Sequence, residues 1–164
     1  MNNLAIRRSE IKDVENLTVL KQRVWIATYA VEGIRTEFSS YVLSPFTTES
    51  IRNLLLSQDM ISLVAEVGNH IIGCVEIKLY PTTAIPEVMT ILEITVLYVL
   101  ERFCRRGIGQ KLLNAACGFL REKQYPSVWL SVLHTNERAL SFYRKNCFED
   151  IGKIYFISLA SFKS

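Results

Sequence analysis

Apolar residues recur at helical spacing early in the chain. Leu17, Leu20, Val24, Ala27 and Val31 follow one another at intervals of three and four, which puts them on one helix face. Asp13, just ahead, carries a carboxylate able to accept from the orphan amides of a first turn, and Gly33 ends the pattern. Ile51, Leu54 and Leu55 mark a second helix over 48–57. A short strand over 4–8 precedes both. Period two then takes over: Ile61, Leu63, Ala65 and Val67 alternate with Ser62, Val64 and Glu66, and Gly73, Val75, Ile77 and Leu79 alternate with Cys74, Glu76 and Lys78. Gly68-Asn69 between the two runs is a hairpin signal. Pro81 and Pro86 bound a loop. The most apolar run, 91–99, reads as a central strand. Gly107-Ile108-Gly109 follows and opens a long helix with Ile108, Leu112, Ala115, Ala116, Phe119 and Leu120 as its buried stripe. A strand over 128–132, a helix over 136–146 with Ala139, Leu140 and Tyr143 inward, and a closing strand over 153–159 complete the pattern. The order β-α-α-β-β-β-α-β-α-β predicts a single mixed α/β domain over 1–164.

Composition narrows the class. The chain has 164 residues, about one domain's worth. Its 49% hydrophobic and 21% charged content excludes a disordered chain. The net charge of +3 is too small to mark a nucleic-acid binder, though it leaves room for a local basic patch. No run approaches the roughly 20 apolar residues of a membrane span. The first eight residues lack the basic-then-apolar order of a signal peptide, so a cytoplasmic location is expected. Cys74, Cys104, Cys117 and Cys147 are far apart, with no C-x-x-C pair; they read as free thiols, and no metal is expected.

The chemistry concentrates after the apolar strand, in Cys104-Arg105-Arg106-Gly107-Ile108-Gly109-Gln110. A glycine turn that opens a helix presents unsatisfied amides and a positive dipole end, and both suit a phosphate. Arg105 and Arg106 add charge that can reach phosphate oxygens. The plain alternative is a tight turn with glycines used for geometry alone. The segment is neither a dinucleotide fingerprint, since Leu112 stands where a third glycine is needed, nor a Walker loop.

This segment resembles motif A of the GNAT superfamily of acyl-CoA-dependent N-acyltransferases, Q/R-x-x-G-x-G/A. A second piece, running from Asn136 through Ala139, Phe142, Tyr143 and Lys145 to Phe148, resembles motif B, N-x-x-A-x-x-F-Y-x-K-x-G-F. The resemblance is also to bacterial polyamine-type acetyltransferases, through Trp25-Ile26-Ala27-Thr28-Tyr29 and the later Phe46-Thr47 helix start. It implies a GNAT-like domain with a mixed central sheet of about six or seven strands and about four helices. It implies acetyl-CoA as cosubstrate, held by Arg105, Arg106, Gly107, Ile108, Gly109 and Gln110. The backbones of Leu97 and Val99 would pair with the pantetheine arm, and the Leu97 amide would serve the oxyanion. Two positions depart from the family: Cys104 replaces the first Gln/Arg of motif A, and Cys147 replaces the glycine before the last Phe of motif B. Position 147 often needs a left-handed backbone, so Asn146 is expected to take over the turn.

The implied reaction needs a base, an oxyanion donor and a group to receive the thiolate. Tyr143 is the candidate acid through its place in motif B; from the pattern alone it reads as a core tyrosine beside Ala139 and Leu140. Glu93, a carboxylate within the most apolar strand, is the candidate base, its pKa raised by burial; an exposed or ion-paired residue is the alternative. Residues 93, 95, 97 and 99 share one face unless a bulge intervenes. Asn136 caps the last helix and can also bond the pantetheine. His70 falls in the hairpin, and His134 lies near the expected cleft.

The acceptor site is expected between the first two helices, with Trp25 and Tyr29 as substrate residues. Aromatic faces suit a cationic amine, although Trp25 and Tyr29 at i, i+4 also fit a core. The expected partner is a small primary amine attacked directly in a ternary complex, without nucleic acid or membrane, and a homodimer is admitted. A protein N-terminal or lysine acetyltransferase and a non-catalytic CoA-binding module are the other readings.

Overall fold

The structure is a computed structural model that describes residues 3–80 and 92–152. Four strands form an antiparallel sheet in the order β1-β2-β3-β4: β1 (Leu4–Arg8), β2 (Met60–Val67), β3 (His70–Leu79) and β4 (Leu92–Val99). Five α-helices accompany them: α1 (Val14–Tyr29), α2 (Thr36–Leu43), α3 (Thr48–Leu56), α4 (Ile108–Glu122) and α5 (Glu137–Lys145).

Period two explains the layering. Ile61, Leu63, Ala65, Val75, Ile77, Leu92 and Ile94 point to one face, where α4 lays Ile108, Leu112, Leu113, Ala116 and Leu120 against them. Val64 and Cys74 point to the other face and meet Val14, Leu17 and Leu20 of α1 and Ile51 of α3. Helices on both faces bury the middle strands on both sides. At the β2–β3 turn, Gly68 and Asn69 both have positive φ, 53° and 64°, as a two-residue type I′ hairpin requires. Gly73 is fixed by close approach, because a Cβ there would stand 2.8 Å from the Tyr98 carbonyl of β4.

Several expectations change. The sheet of the described residues has four strands, not six or seven; the closing strand over 153–159 and the proline-bounded loop lie outside them. The predicted 128–132 strand is reduced to an isolated parallel bridge between Glu93 and Trp129. β4 is not central: it ends the described ladder, and β2 and β3 are the strands buried between neighbours. Asp13 does not cap α1 with its side chain. A 3-10 turn over Ile11–Asp13 intervenes, and the Arg7 guanidinium donates to both Asp13 oxygens at 2.7 and 3.0 Å. That pairing holds the Asp13 carboxyl below the usual carboxylate range. α1 stops at Tyr29, leaving Val31 84% exposed. α2 was not separated in the sequence from the loop between the first two helices.

Candidate active site

β4 carries the feature on which the site is built. Its register against β3 runs Ile77↔Ile94 and then Glu76↔Val96, so Thr95 is an extra residue. This bulge reverses the alternation. Leu92 and Ile94 point to the α4 face before it, and Leu97 and Val99 point there after it, while Val96 and Tyr98 turn toward α1. The backbone turns with them. Before the bulge, the outer edge of β4 is taken by Trp129: Ile94 N–H donates to Trp129 O at 2.9 Å and Trp129 N–H to Leu92 O at 3.1 Å. After the bulge, Leu100 N–H donates inward to Ile72 O. Antiparallel alternation therefore aims the amides and carbonyls of Leu97 and Val99 at the outer edge, where no described strand pairs with them.

β4 ends in a 3-10 turn over Glu101–Phe103, and the chain then reaches α4 through two left-handed residues, Arg105 (φ 60°) and Gly107 (φ 77°). Gly107 is the N-cap, without a side chain to satisfy the first amides and with no acidic residue in the first turn. The first intrahelical bond of α4 joins Lys111 N–H to Gly107 O at 3.0 Å, which leaves the earlier amides available to an anion. Arg105 and Arg106 are exposed and form no ion pair among the described residues. Ile108 is buried in the core, so only its backbone can contribute. A Cβ on Gly109 would meet Phe142 and Val99 at ordinary contact distance, 3.8–4.0 Å, so a small side chain would fit there and only Gly107 needs glycine's backbone freedom. Gln110 is committed elsewhere, donating to Asn114 and, at 2.5 Å, to Asn146. Cys104 lies beside the strand end, its thiol 3.6 Å from the Val99 and Leu100 carbonyls.

α5 starts and stops as its sequence requires. Asn136 accepts from Ala139 N–H at 3.2 Å and is a true N-cap. At the other end, Cys147 itself adopts φ 64°, so Asn146 does not take over the left-handed turn. Asn146 instead donates to Phe142 O. Tyr143 is packed between Phe142 and Phe148, edge-on to both at 5.2 and 5.5 Å. Burial pushes its phenol up to about 12, and Tyr29 adds to the shift. The group therefore stays protonated and can donate.

A cavity of about 300 Å³ joins the end of α1 to the start of α5, lined among others by Thr28, Tyr29, Asn136, Glu137 and Arg138. It brings Tyr29 together with Asn136. Trp25 stands behind Tyr29, 5.0 Å between rings, and stacks on Tyr41 of α2 at 4.9 Å, with Phe38 edge-on at 5.6 Å. These rings fasten α2 to α1. Neither Trp25 nor Tyr29 belongs to a buried cluster. Tyr98, turned to this side by the bulge, is raised well above its usual range by burial and by Tyr29 and Tyr41. Tyr98 and Glu137 carry no signal in the sequence as acceptor-side residues. The i, i+4 spacing marks Trp25 and Tyr29, but pairing across α2 and the bulge of β4 leave no local signal.

Glu93 does not share a face with Leu97 and Val99, because the bulge intervenes. It stands opposite Lys78 of β3 on the α1 face. Burial raises its carboxyl and Lys78 works against that rise. Four residues of strand span roughly 13 Å, so Glu93 is beyond direct reach of a group bonded to the Leu97 amide. His70 is exposed, its ring against the Gly68 carbonyl at 2.7 Å, and His134 is exposed and does not line the cavity. No metal-binding group of His, Cys, Asp and Glu occurs among the described residues.

Comparison with known proteins follows the same lines. A family model described as the acetyltransferase (GNAT) family matches residues 28–147. The chain is similar to spermidine N(1)-acetyltransferase of Thermoplasma acidophilum, 29% identical over 153 residues, covering 90% of this chain and 89% of that protein. It also resembles the crystal structure of PaiA N-acetyltransferase from Thermoplasma acidophilum in complex with coenzyme A, with TM-score 0.77, 25% identity and 88% of each chain covered. An aminoglycoside acetyltransferase from an uncultured soil metagenomic sample shares the fold, with TM-score 0.71, 23% identity and coverage of 96% and 97%.

Proposed function

This chain belongs to the GNAT acetyltransferase family, and on that premise we propose that it transfers the acetyl group of acetyl-CoA directly to a small cationic primary amine in a ternary complex. The observation that carries this reading is the outer edge of β4 at Leu97 and Val99, unpaired among the described residues, between the amide-rich start of α4 and the cavity of Tyr29 and Asn136. Pyrophosphate oxygens fit the first amides of α4, with Arg105 and Arg106 beside them. The pantetheine arm fits the edge of β4 as an added strand, bonded to Leu97 and Val99 and reached by Asn136. The Leu97 N–H then faces the developing oxyanion.

The amine lone pair forms the new C–N bond and the C–S bond breaks. Tyr143 receives the departing thiolate. A phenol near 12 is a weaker acid than a thiol near ~8.5, so it stabilises the thiolate by donating a hydrogen bond rather than by surrendering its proton. Glu93 takes the ammonium proton through water, since it stands too far along the strand to act directly. Tyr29 offers its ring to the acceptor's charge, backed by Trp25, which stacks on Tyr41, and Glu137 offers a carboxylate at the cavity wall. The similarity to a spermidine acetyltransferase favours an acceptor of this kind.

The test is mass spectrometry of acetyl-CoA incubated with the protein and, separately, spermidine, an aminoglycoside, a free-N-terminus peptide and a lysine peptide. Acetylation of the small polycations and not the peptides is expected. Peptide acetylation would replace this reading with a protein acetyltransferase. Calorimetric binding of CoA without turnover on any amine would replace it with a binding module.

A further inference from the structure

The far end of α4 carries a second cleft, of about 260 Å³, with no part in the site above. It lies where β1, β2 and β3 end under the last turn of α4. The helix has 15 residues, so this cleft is roughly 20 Å from the glycine turn at the other end. Its floor is apolar: Ile61, Leu79 and Phe119 belong to or pack on the main core. Arg8 and Lys123 stand over that floor, their charged groups 5.7 and 6.0 Å from the Phe119 ring centroid.

The charge balance is unusual for paired neighbours. Arg7 and Arg8 are adjacent in β1 and point to opposite faces. Arg7 reaches Asp13, Glu66 and Glu10. Arg8 and Lys123 form no ion pair among the described residues, and no carboxylate lines the cleft; Asp59 and Glu122, the nearest acids in sequence, are not part of its wall. Two cations on one aromatic ring, above an apolar floor and beside the Tyr125 side chain, meet no anion among the described residues. The basic residues at a helix C-terminus favour the dipole, but that accounts for Lys123 and not for Arg8, which arrives from another element.

We propose that this cleft binds a small aromatic carboxylate, its anion between Arg8 and Lys123 and its ring on Phe119 and Leu79. The volume falls just under the usual range of ligand pockets, which limits the ligand to fragment size. Both cations are exposed, so binding weakens as salt rises.

Saturation-transfer NMR and calorimetry with benzoate, benzyl alcohol, benzylamine and inorganic phosphate test the assignment at low ionic strength. Benzoate is expected to bind at least tenfold more tightly than the other three. Arg8→Ala and Lys123→Ala should each weaken benzoate at least fivefold, and Arg105→Ala should leave it unchanged. A thermal melt of each variant verifies folding, and Arg8→Lys should retain part of the affinity if the charge matters. Equal binding of benzyl alcohol would overturn the anionic half of the proposal, and equal binding of phosphate the aromatic half. Benzoate affinity that survives the Arg8→Ala/Lys123→Ala double variant, or that CoA competes away, would place the ligand elsewhere. These readouts involve no turnover, so they stand or fall separately from the acetyl-transfer reading.

Discussion

Replacing Lys21 with methionine should destabilise this protein far more than a surface change would. Lys21 and Glu76 are 3% and 1% exposed, and the Lys21 ammonium donates to both Glu76 oxygens at 2.8 Å. At an effective dielectric of 20, unit charges at this separation attract by about 6 kcal/mol. Much of that offsets the cost of removing both ions from water. Lys21→Met removes the attraction and leaves the Glu76 carboxylate buried alone, a loss of about 3–5 kcal/mol. For a chain of this length each kcal/mol is about 2–4 °C, so the melting temperature should fall by roughly 6–20 °C. The double variant Lys21→Met/Glu76→Leu removes both charges and should return to within about 1 kcal/mol of wild type, or exceed it. Urea unfolding of wild type, both single variants and the double variant closes the cycle. A Lys21→Met protein within 1 kcal/mol of wild type at pH 7, or a double variant as unstable as the two singles summed, would refute the reasoning.

Tyr143→Phe should keep CoA affinity by calorimetry and lose about 10²–10³-fold in kcat, the cost of one hydrogen-bond donor to a developing anion; a kcat within a factor of a few of wild type rejects the role. Glu93→Gln should slow the reaction at neutral pH and recover at high pH, where free amine is abundant, and an acidic limb coincident with wild type makes Glu93 structural. Because burial raises the Glu93 carboxyl, ionising it costs stability above the ordinary carboxylate pKa, so urea unfolding of Glu93→Gln at pH 7 should show no loss. Gly107→Val forces a side chain into φ 77°, costs about 1–2 kcal/mol, and should reduce calorimetric CoA affinity more than Arg105→Ala. Cys147→Gly relieves φ 64° and should raise the thermal midpoint, by up to about 1 kcal/mol of stability.

Local chemistry was legible along the chain wherever it is decided by neighbours in sequence. Period two and Gly68-Asn69 set the β2–β3 hairpin, the 3.6 period set α3, α4 and the core of α1, and Asn136 marked the start of α5. The glycine turn at the start of α4 was legible because free amides and a positive φ follow from Gly107 itself. Other features depend on what the fold brings alongside. Asp13 has the residue type of a cap, yet Arg7 from the neighbouring strand reaches its carboxylate. Glu93 and Leu97 share parity in the sequence, yet one extra residue at Thr95 parts them onto opposite faces and opens the β4 edge. A bulge is a mismatch between two strands, and no single strand encodes it. Likewise, Lys21 and Glu76 look like ordinary solvated residues 55 positions apart; only the packing of α1 on the sheet removes the water and makes each the other's necessary partner.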